Sequence, residues 1–313
     1  MEKSDLQVLD LYCGPGGLGT GFSKRFNVVH AVDYNKDACA TYQTNHRETS
    51  VKNMPITDFI ENCIPKDYEG FLYSGIIGGP PCQEFSILNQ HKDYGSKRAN
   101  QLFVMLDVIK YLKPKFVFLE NVASIPKKFK ETAIKRLKNQ NYHVSSKVVL
   151  AYNYGSVQKR RRWILTACKR RSLYPNAIPG TRQAKEILLP GEISESKMSE
   201  GIQKQLGDLP TGKWVALPGK KWKEYYIVDP HKPLPAVVNV LKNRLVRPNR
   251  DGYLSFREVG MAQGFPKDYS FIGTKSSIAQ QLANAIPVEL ASTFANEFFQ
   301  YFNPSKSKLT SYF

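Results

Sequence analysis

Largely apolar runs of four or five residues recur along the first half of the chain, and each meets a glycine or an acid within two residues of its end. Residues 8–12, 28–32, 74–77 and 115–119 are such runs, and their length and uniform hydrophobicity predict buried strands. Between them the pattern changes to helical spacing. Residues 36–45 read as a helix, and Leu102, Phe103, Leu106, Ile109 and Leu112 recur as the apolar face of another. Residues 144–152 and 162–168 predict neighbouring antiparallel strands. From 172 to 249 the periodicity breaks into prolines, glycines, lysines and isolated aromatics, with a helix only over 196–206, and residues 277–299 then form a final helical region. This order predicts an α/β fold: a Rossmann-like doubly wound sheet from 1–171 plus 272–313, with a small, irregular domain over 172–271.

Composition narrows the class. The chain has 313 residues, 42% of them hydrophobic, enough for a large core. Forty-five basic against 27 acidic residues leave a net charge of +18, which points to a polyanionic partner, nucleic acid before membrane. The five cysteines are odd in number and scattered, with no Cys-x-x-Cys pair, so neither a disulfide framework nor a zinc knuckle is expected. No run approaches the length of a membrane span and residues 1–7 are charged, so an intracellular protein without a membrane partner is expected.

Candidate chemistry sits where the strands end. The first strand, with Asp10 inside it, runs into Cys13-Gly14-Pro15-Gly16-Gly17-Leu18-Gly19, a strand–turn–helix pattern whose glycines admit a cofactor to the backbone. Asp33 closes the second strand and can bind both hydroxyls of a ribose, and Tyr34 can stack on an adenine. A nicotinamide nucleotide and S-adenosylmethionine satisfy this set equally, and a glycine turn with a capping acid would produce it with no ligand. The third strand leads into Gly78-Gly79-Pro80-Pro81-Cys82-Gln83-Glu84-Phe85-Ser86. An isolated cysteine is usually a small apolar filler, but two glycines and two prolines in a stiff loop present Cys82 as a nucleophile. Glu120 ends the fourth strand on the same sheet edge. Alternation along the later strand puts Arg160 and Arg162 of Gln158-x-Arg160-x-Arg162 on one face.

Taken in order, the glycine turn, Pro80-Pro81-Cys82-Gln83, Glu120-Asn121-Val122, Gln158-x-Arg160-x-Arg162, Gln263-Gly264-Phe265-Pro266 and Asn284 resemble the blocks of the cytosine-C5 DNA methyltransferases over about residues 6 to 300. The chain departs from that pattern at Asn53-Met54, where an Asp precedes an apolar residue, at Val157 for Pro, at Ala236 for Thr and at Ala283 for Gly. The resemblance implies S-adenosyl-L-methionine as cofactor. Tyr12, Gly14, Gly16 and Gly17 would line its methionine and ribose side and Asp33 its ribose; Tyr34, Asn53 and Met54 would meet the adenine, and Pro80, Leu102, Asn284 and Ala285 would complete the site.

It further implies that Cys82 adds to C6 of a flipped-out cytosine in a short sequence of double-stranded DNA. Glu120 would stabilise N3 and Arg162 O2, with Arg160 orienting Glu120 and the base. Residues 172–271 become a target recognition domain, and the polar loop 87–99 a lid. A monomer and a cognate restriction endonuclease are expected, in the cytoplasm near the nucleoid of a prokaryote or in a eukaryotic nucleus. The rivals are a tRNA cytosine-C5 methyltransferase of the same fold, a nicotinamide-dependent dehydrogenase and a non-catalytic DNA-binding relative. No metal is expected.

Overall fold

The computed structural model describes residues 2–63, 73–81, 100–217, 224–238, 240–241 and 243–304. Cys82, the loop 87–99 and Trp222 lie outside the described residues.

A seven-stranded sheet organises the chain. β1 (Gln7–Leu11), β2 (Asn27–Asp33), β3 (Ser50–Asn53), β4 (Gly75–Gly78) and β5 (Phe116–Val122) are joined by β6 (His143–Leu150) and β8 (Arg161–Cys168) in the order β3-β2-β1-β4-β5-β8-β6. The first five are mutually parallel, and β8 runs antiparallel between β5 and β6. Strand order reverses between β1 and β4. Ligands of doubly wound sheets bind in the crevice beyond the carboxyl ends of such a pair, and here those ends carry the glycine turn and the Gly79-Pro80 loop.

Helices cover both faces because the strands are apolar on both. α1 (Gly17–Phe22) and α2 (Lys36–Asn45) follow β1 and β2, the single turn α3 (Ile56–Asp58) precedes β4, and α4 (Gln101–Leu112) and α5 (Lys127–Lys138) flank β5. Leu102, Leu106, Ile109, Phe129 and Leu137 close one face over Val117, Leu119 and Trp163. On the other, Phe22 packs with Phe116, Phe118 and the C-terminal helix residues Phe294 and Phe298.

The smaller cluster contains a two-stranded sheet of β7 (Gln158–Lys159) with β11 (Leu234–Pro235), and a three-stranded one of β9 (Lys213–Ala216), β10 (Glu224–Ile227) and β12 (Asn243–Val246). α6 (Glu200–Leu206), α7 (Phe256–Ala262) and α8 (Lys275–Asn284) surround them, and Val157, Tyr226, Val237, Phe256, Val259 and Leu282 share its core. Arg247 is buried beside Glu258, which is fully buried and also caps α7 with Ser255. Tyr225 and Tyr226 are buried, whereas Trp214 is partly exposed and packs on Tyr226.

Four expected elements end differently. The strand expected over 115–119 continues to Val122, which places Glu120 inside β5. The strand expected over 144–152 stops at Leu150, because Ala151–Tyr154 turns into a 3-10 helix closed by Gly155 at φ 89°. The helix expected over 196–206 starts only at Glu200, after Ser199. The helical region 277–299 is two helices, α8 and α9 (Val288–Phe302), since Ala285 leaves the helical conformation and Pro287 begins the next helix. Among the described residues no helix is long and apolar enough to cross a membrane, and no cluster of metal-ligating side chains occurs.

Candidate active site

The glycine turn is built by backbone conformation. Tyr12 takes φ 56°, Gly14 φ 52° and Gly16 φ 100°, a left-handed passage that reverses the chain between β1 and α1. A side chain at Gly14 would meet no atom within 4 Å, so its backbone faces open space. At Gly17 a Cβ would stand 2.4 Å from the carbonyl oxygen of Ile286, so the link between α8 and α9 presses directly on this turn. Asp33 braces it from β2: its Oδ2 accepts from the Gly14 N–H at 2.9 Å and its Oδ1 from the Asn35 N–H at 2.8 Å. Burial raises the Asp33 pKa, while these N–H groups oppose that shift. Each carboxylate oxygen still has acceptor capacity for a hydroxyl.

Tyr34, 61% exposed, is free to stack, and Asn53 is exposed beside it at the paired end of β3. The Asn53 amide donates to the Asp33 carbonyl at 3.2 Å, which leaves its oxygen as the acceptor a nucleobase amine requires. The Met54 N–H also donates to that carbonyl. The Tyr12 hydroxyl donates to Gln101 at the start of α4, next to buried Leu102. Ala285 is buried near the turn, while Asn284 is exposed and accepts from Gln280. An open, left-handed Gly14, a ribose-competent carboxylate and an exposed aromatic fit a nucleoside cofactor with a flexible amino-acid tail.

Glu120 and Arg162 meet on the neighbouring strand ends. In the β5–β8 register Val122 faces Arg162, so Glu120, two residues earlier on the same face, is its diagonal neighbour. Arg162 Nε stands 2.5 Å from Glu120 Oε1. Burial raises the Glu120 pKa, and the guanidinium groups of Arg162 and Arg160 pull against that rise. Arg160 lies in the break between β7 and β8, almost fully buried, and donates to the carbonyls of Val237 and of Ala283, the latter at 2.7 Å. It therefore ties the start of β8 to the smaller cluster, at Val237 and at α8, as well as acting on Glu120 through space. Its surroundings arise from that break, which alternation along a continuous strand does not describe.

The loop that leads to Cys82 leaves β4 against this pair. A Cβ on Gly79 would lie 3.2 Å from Glu120 Oε2, and buried Asn121 donates to the Pro80 carbonyl at 3.1 Å. Sequence reasoning assigned Asn121 no role, although an amide inside an apolar strand was a visible signal. It also missed two other contacts. Buried Gln158 donates to Gln263 and the Ala262 carbonyl and accepts from the Val237 N–H. Tyr269 donates to the Pro15 carbonyl at 2.6 Å beside His46, holding the glycine turn from outside.

Comparison with known proteins agrees with this geometry. The family model "C-5 cytosine-specific DNA methylase" matches residues 6–300. The type II methyltransferase M.HgiDI of Herpetosiphon aurantiacus is 28% identical over 98% of this chain and 98% of its own. M.FnuDI of Fusobacterium nucleatum is 26% identical over 91% of this chain and 92% of its own. Among solved structures, a putative DNA modification methyltransferase encoded within an E. coli prophage has a TM-score of 0.78 at 22% identity, covering 96% of this chain and 100% of that one. The S. pombe Dnmt2 methyltransferase has a TM-score of 0.71 at 17% identity, covering 95% and 99%. A doubly wound sheet with its switch-point crevice, an acid–guanidinium pair beside the Gly79-Pro80 segment and a family match over nearly the whole length have one reading: the chain belongs to the C-5 cytosine-specific DNA methylase family and is a methyltransferase acting on cytosine C5 of DNA.

Proposed function

We propose that Cys82 is the nucleophile of this reaction, with Glu120 and Arg162 as its catalytic partners and Arg160 holding them in place. Cytosine C5 is a poor nucleophile, and thiolate addition to C6 makes the ring electron-rich at C5. Addition leaves negative charge on N3 and O2. Glu120, whose burial favours the protonated acid, holds a proton at N3, and Arg162 donates to O2. The observation that carries the assignment is the Glu120–Arg162 pair at the point where the Gly79-Pro80 segment departs toward Cys82.

The cofactor in this reading is S-adenosylmethionine, which supplies an electrophilic methyl group when bound. Asp33 receives the ribose, Tyr34, Asn53 and Met54 the adenine, and Tyr12, Gly14, Gly16 and Gly17 the rest, with Pro80, Leu102, Asn284 and Ala285 as its remaining walls. Residues 172–271 serve as the target recognition domain against a catalytic part of 1–171 plus 272–313. The protein works as a monomer on a short duplex sequence, in the compartment that holds the DNA. Type II methyltransferase relatives favour a cognate restriction endonuclease as its companion.

The test is tritiated methyl transfer from S-adenosylmethionine to duplex DNA, with tRNA in parallel. Cys82→Ala is expected to abolish transfer while cofactor binding persists, and 5-fluorocytosine DNA is expected to trap the wild-type protein covalently at Cys82. Turnover by Cys82→Ala, or no adduct despite DNA binding, would overturn the assignment.

A further inference from the structure

The excess positive charge is not where sequence-specific recognition is expected. Residues 110–171 contain 17 lysines and arginines against two acids, Glu120 and Glu131, and so carry +15 of the chain's net +18. The segment proposed for target recognition, 172–271, has 15 basic against 10 acidic residues, a net of only +5.

Much of this charge lies along α5. Phe129, Ala133 and Leu137 bury one face of the helix, leaving Lys128, Lys135 and Lys138 on the opposite face, all exposed and without an ion pair to a described residue. Glu131 on that face is occupied by Lys127 at 3.6 Å. The last-turn cations Lys135, Arg136 and Lys138 suit the helix dipole, which would be reason enough for them. The first turn has the opposite sense. It holds Lys127, Lys128 and Lys130 and no acid, where the dipole favours negative charge. Lys127 there pairs with Glu131 and Lys130 donates to the Ala123 carbonyl, but Lys128 has no such partner among the described residues, and an anion bound at the surface would offset its charge.

The stripe is continuous with the site. α5 starts just after β5, whose end carries Glu120, and its 12 residues extend about 18 Å along the sheet. Its far end is linked to β8 by Lys169, whose Nζ donates to the Gln140 carbonyl at 2.7 Å and whose N–H donates to Lys115. Lys113 and Lys115 are exposed there, and the Lys169 pKa is lowered by burial first and by neighbouring Lys113 second. Duplex DNA presents one charge per about 1.7 Å of axis, so several phosphates would fall along such a stripe.

We infer that the exposed face of α5, carrying Lys128, Lys135 and Lys138, binds the phosphate backbone of duplex DNA flanking the target site. This inference rests on the reading of the chain as a DNA methyltransferase. The surface contributes affinity without sequence information, because phosphates position a protein and base edges specify it. The footprint on DNA therefore extends beyond the recognised bases.

The experiment compares the wild-type chain, K128Q/K135Q/K138Q and K128R/K135R/K138R in methylation of mixed-sequence genomic DNA, with DNA and cofactor varied in turn and salt titrated. The glutamine variant is expected to raise KM for DNA roughly tenfold, with the slope of log affinity against log salt smaller by about 2 to 3. Its kcat and its KM for S-adenosylmethionine remain those of the wild type, and the arginine variant restores both DNA parameters. If the wild-type chain methylates DNA and the glutamine variant keeps its KM and salt slope, the inference is overturned. A fall in kcat, or failure of arginine to rescue, overturns it as well, as does selective loss of affinity for a structured RNA competitor with DNA unaffected. Absence of methylation by the wild-type chain would instead refute the underlying activity.

Discussion

Arg162 reaches Glu120 diagonally across two antiparallel strands, Nε to Oε1 at 2.5 Å, and so the charge on one sets the protonation of the other. Burial pushes the Glu120 pKa up and Arg162 restrains it. Activity that needs the protonated acid declines as pH rises through this pKa. Removing the guanidinium raises the pKa further, so Arg162→Gln moves the alkaline limb of the single-turnover rate to higher pH while lowering its plateau. Glu120→Gln lowers the rate roughly 100-fold and removes that limb. An unchanged limb in Arg162→Gln would show that the pair does not act as a unit.

Gly14 and Gly17 lie in the same turn but respond differently to a methyl group. Gly17→Ala sets a Cβ 2.4 Å from the Ile286 oxygen, so α1 and the link between α8 and α9 must separate, and loss of soluble folded protein is expected. Gly14→Ala meets open space and incurs only the left-handed backbone cost of about 1–2 kcal/mol. It should remain folded yet raise KM for the cofactor. Circular dichroism melts together with cofactor titration separate the two cases.

Glu258 is fully buried and pairs with Arg247 at 2.8 Å. Arg247→Met strands that carboxylate and is expected to cost about 3–5 kcal/mol in chemical denaturation. Adding Glu258→Gln removes the orphaned charge while keeping acceptor capacity, so the double variant should recover part of the loss. Additive losses would mean that the two side chains act independently.

His46 is packed beside Tyr42, Thr20 and Tyr269, and burial lowers its pKa from 6.5 to about 4. The folded state therefore favours the neutral ring. Its stability contribution is complete above pH 6.5 and is lost as pH falls toward 4. His46→Gln should shrink the difference in unfolding free energy between pH 7 and pH 5 by roughly 1–2 kcal/mol. His30, also lowered to about 4, retains its own share. A variant with the same pH dependence as the wild type would place the acid sensitivity elsewhere.

The strands of the parallel sheet were legible because burial on both faces writes them as uninterrupted apolar runs, with site residues just past each end. Asp33 and Glu120 could be found from that grammar alone. Contacts between distant segments could not. Nothing local marks Pro80 as the partner of Asn121, Gln158 as the partner of Gln263, or Ile286 as the lid on Gly17, since each depends on tertiary approach. The break between α8 and α9 was written in Pro287, but the apolar residues on either side continue at helical spacing and mask it.

The contact between Gly17 and Ile286 also orders events in time. A ribosome makes the glycine turn well before the segment that presses on it, Ile286 in the link between α8 and α9. A nascent chain stalled before that link lacks this support for the turn, whatever else it has folded. The sheet can complete its hydrogen bonds while its first turn still waits for a segment made near the other end of the sequence.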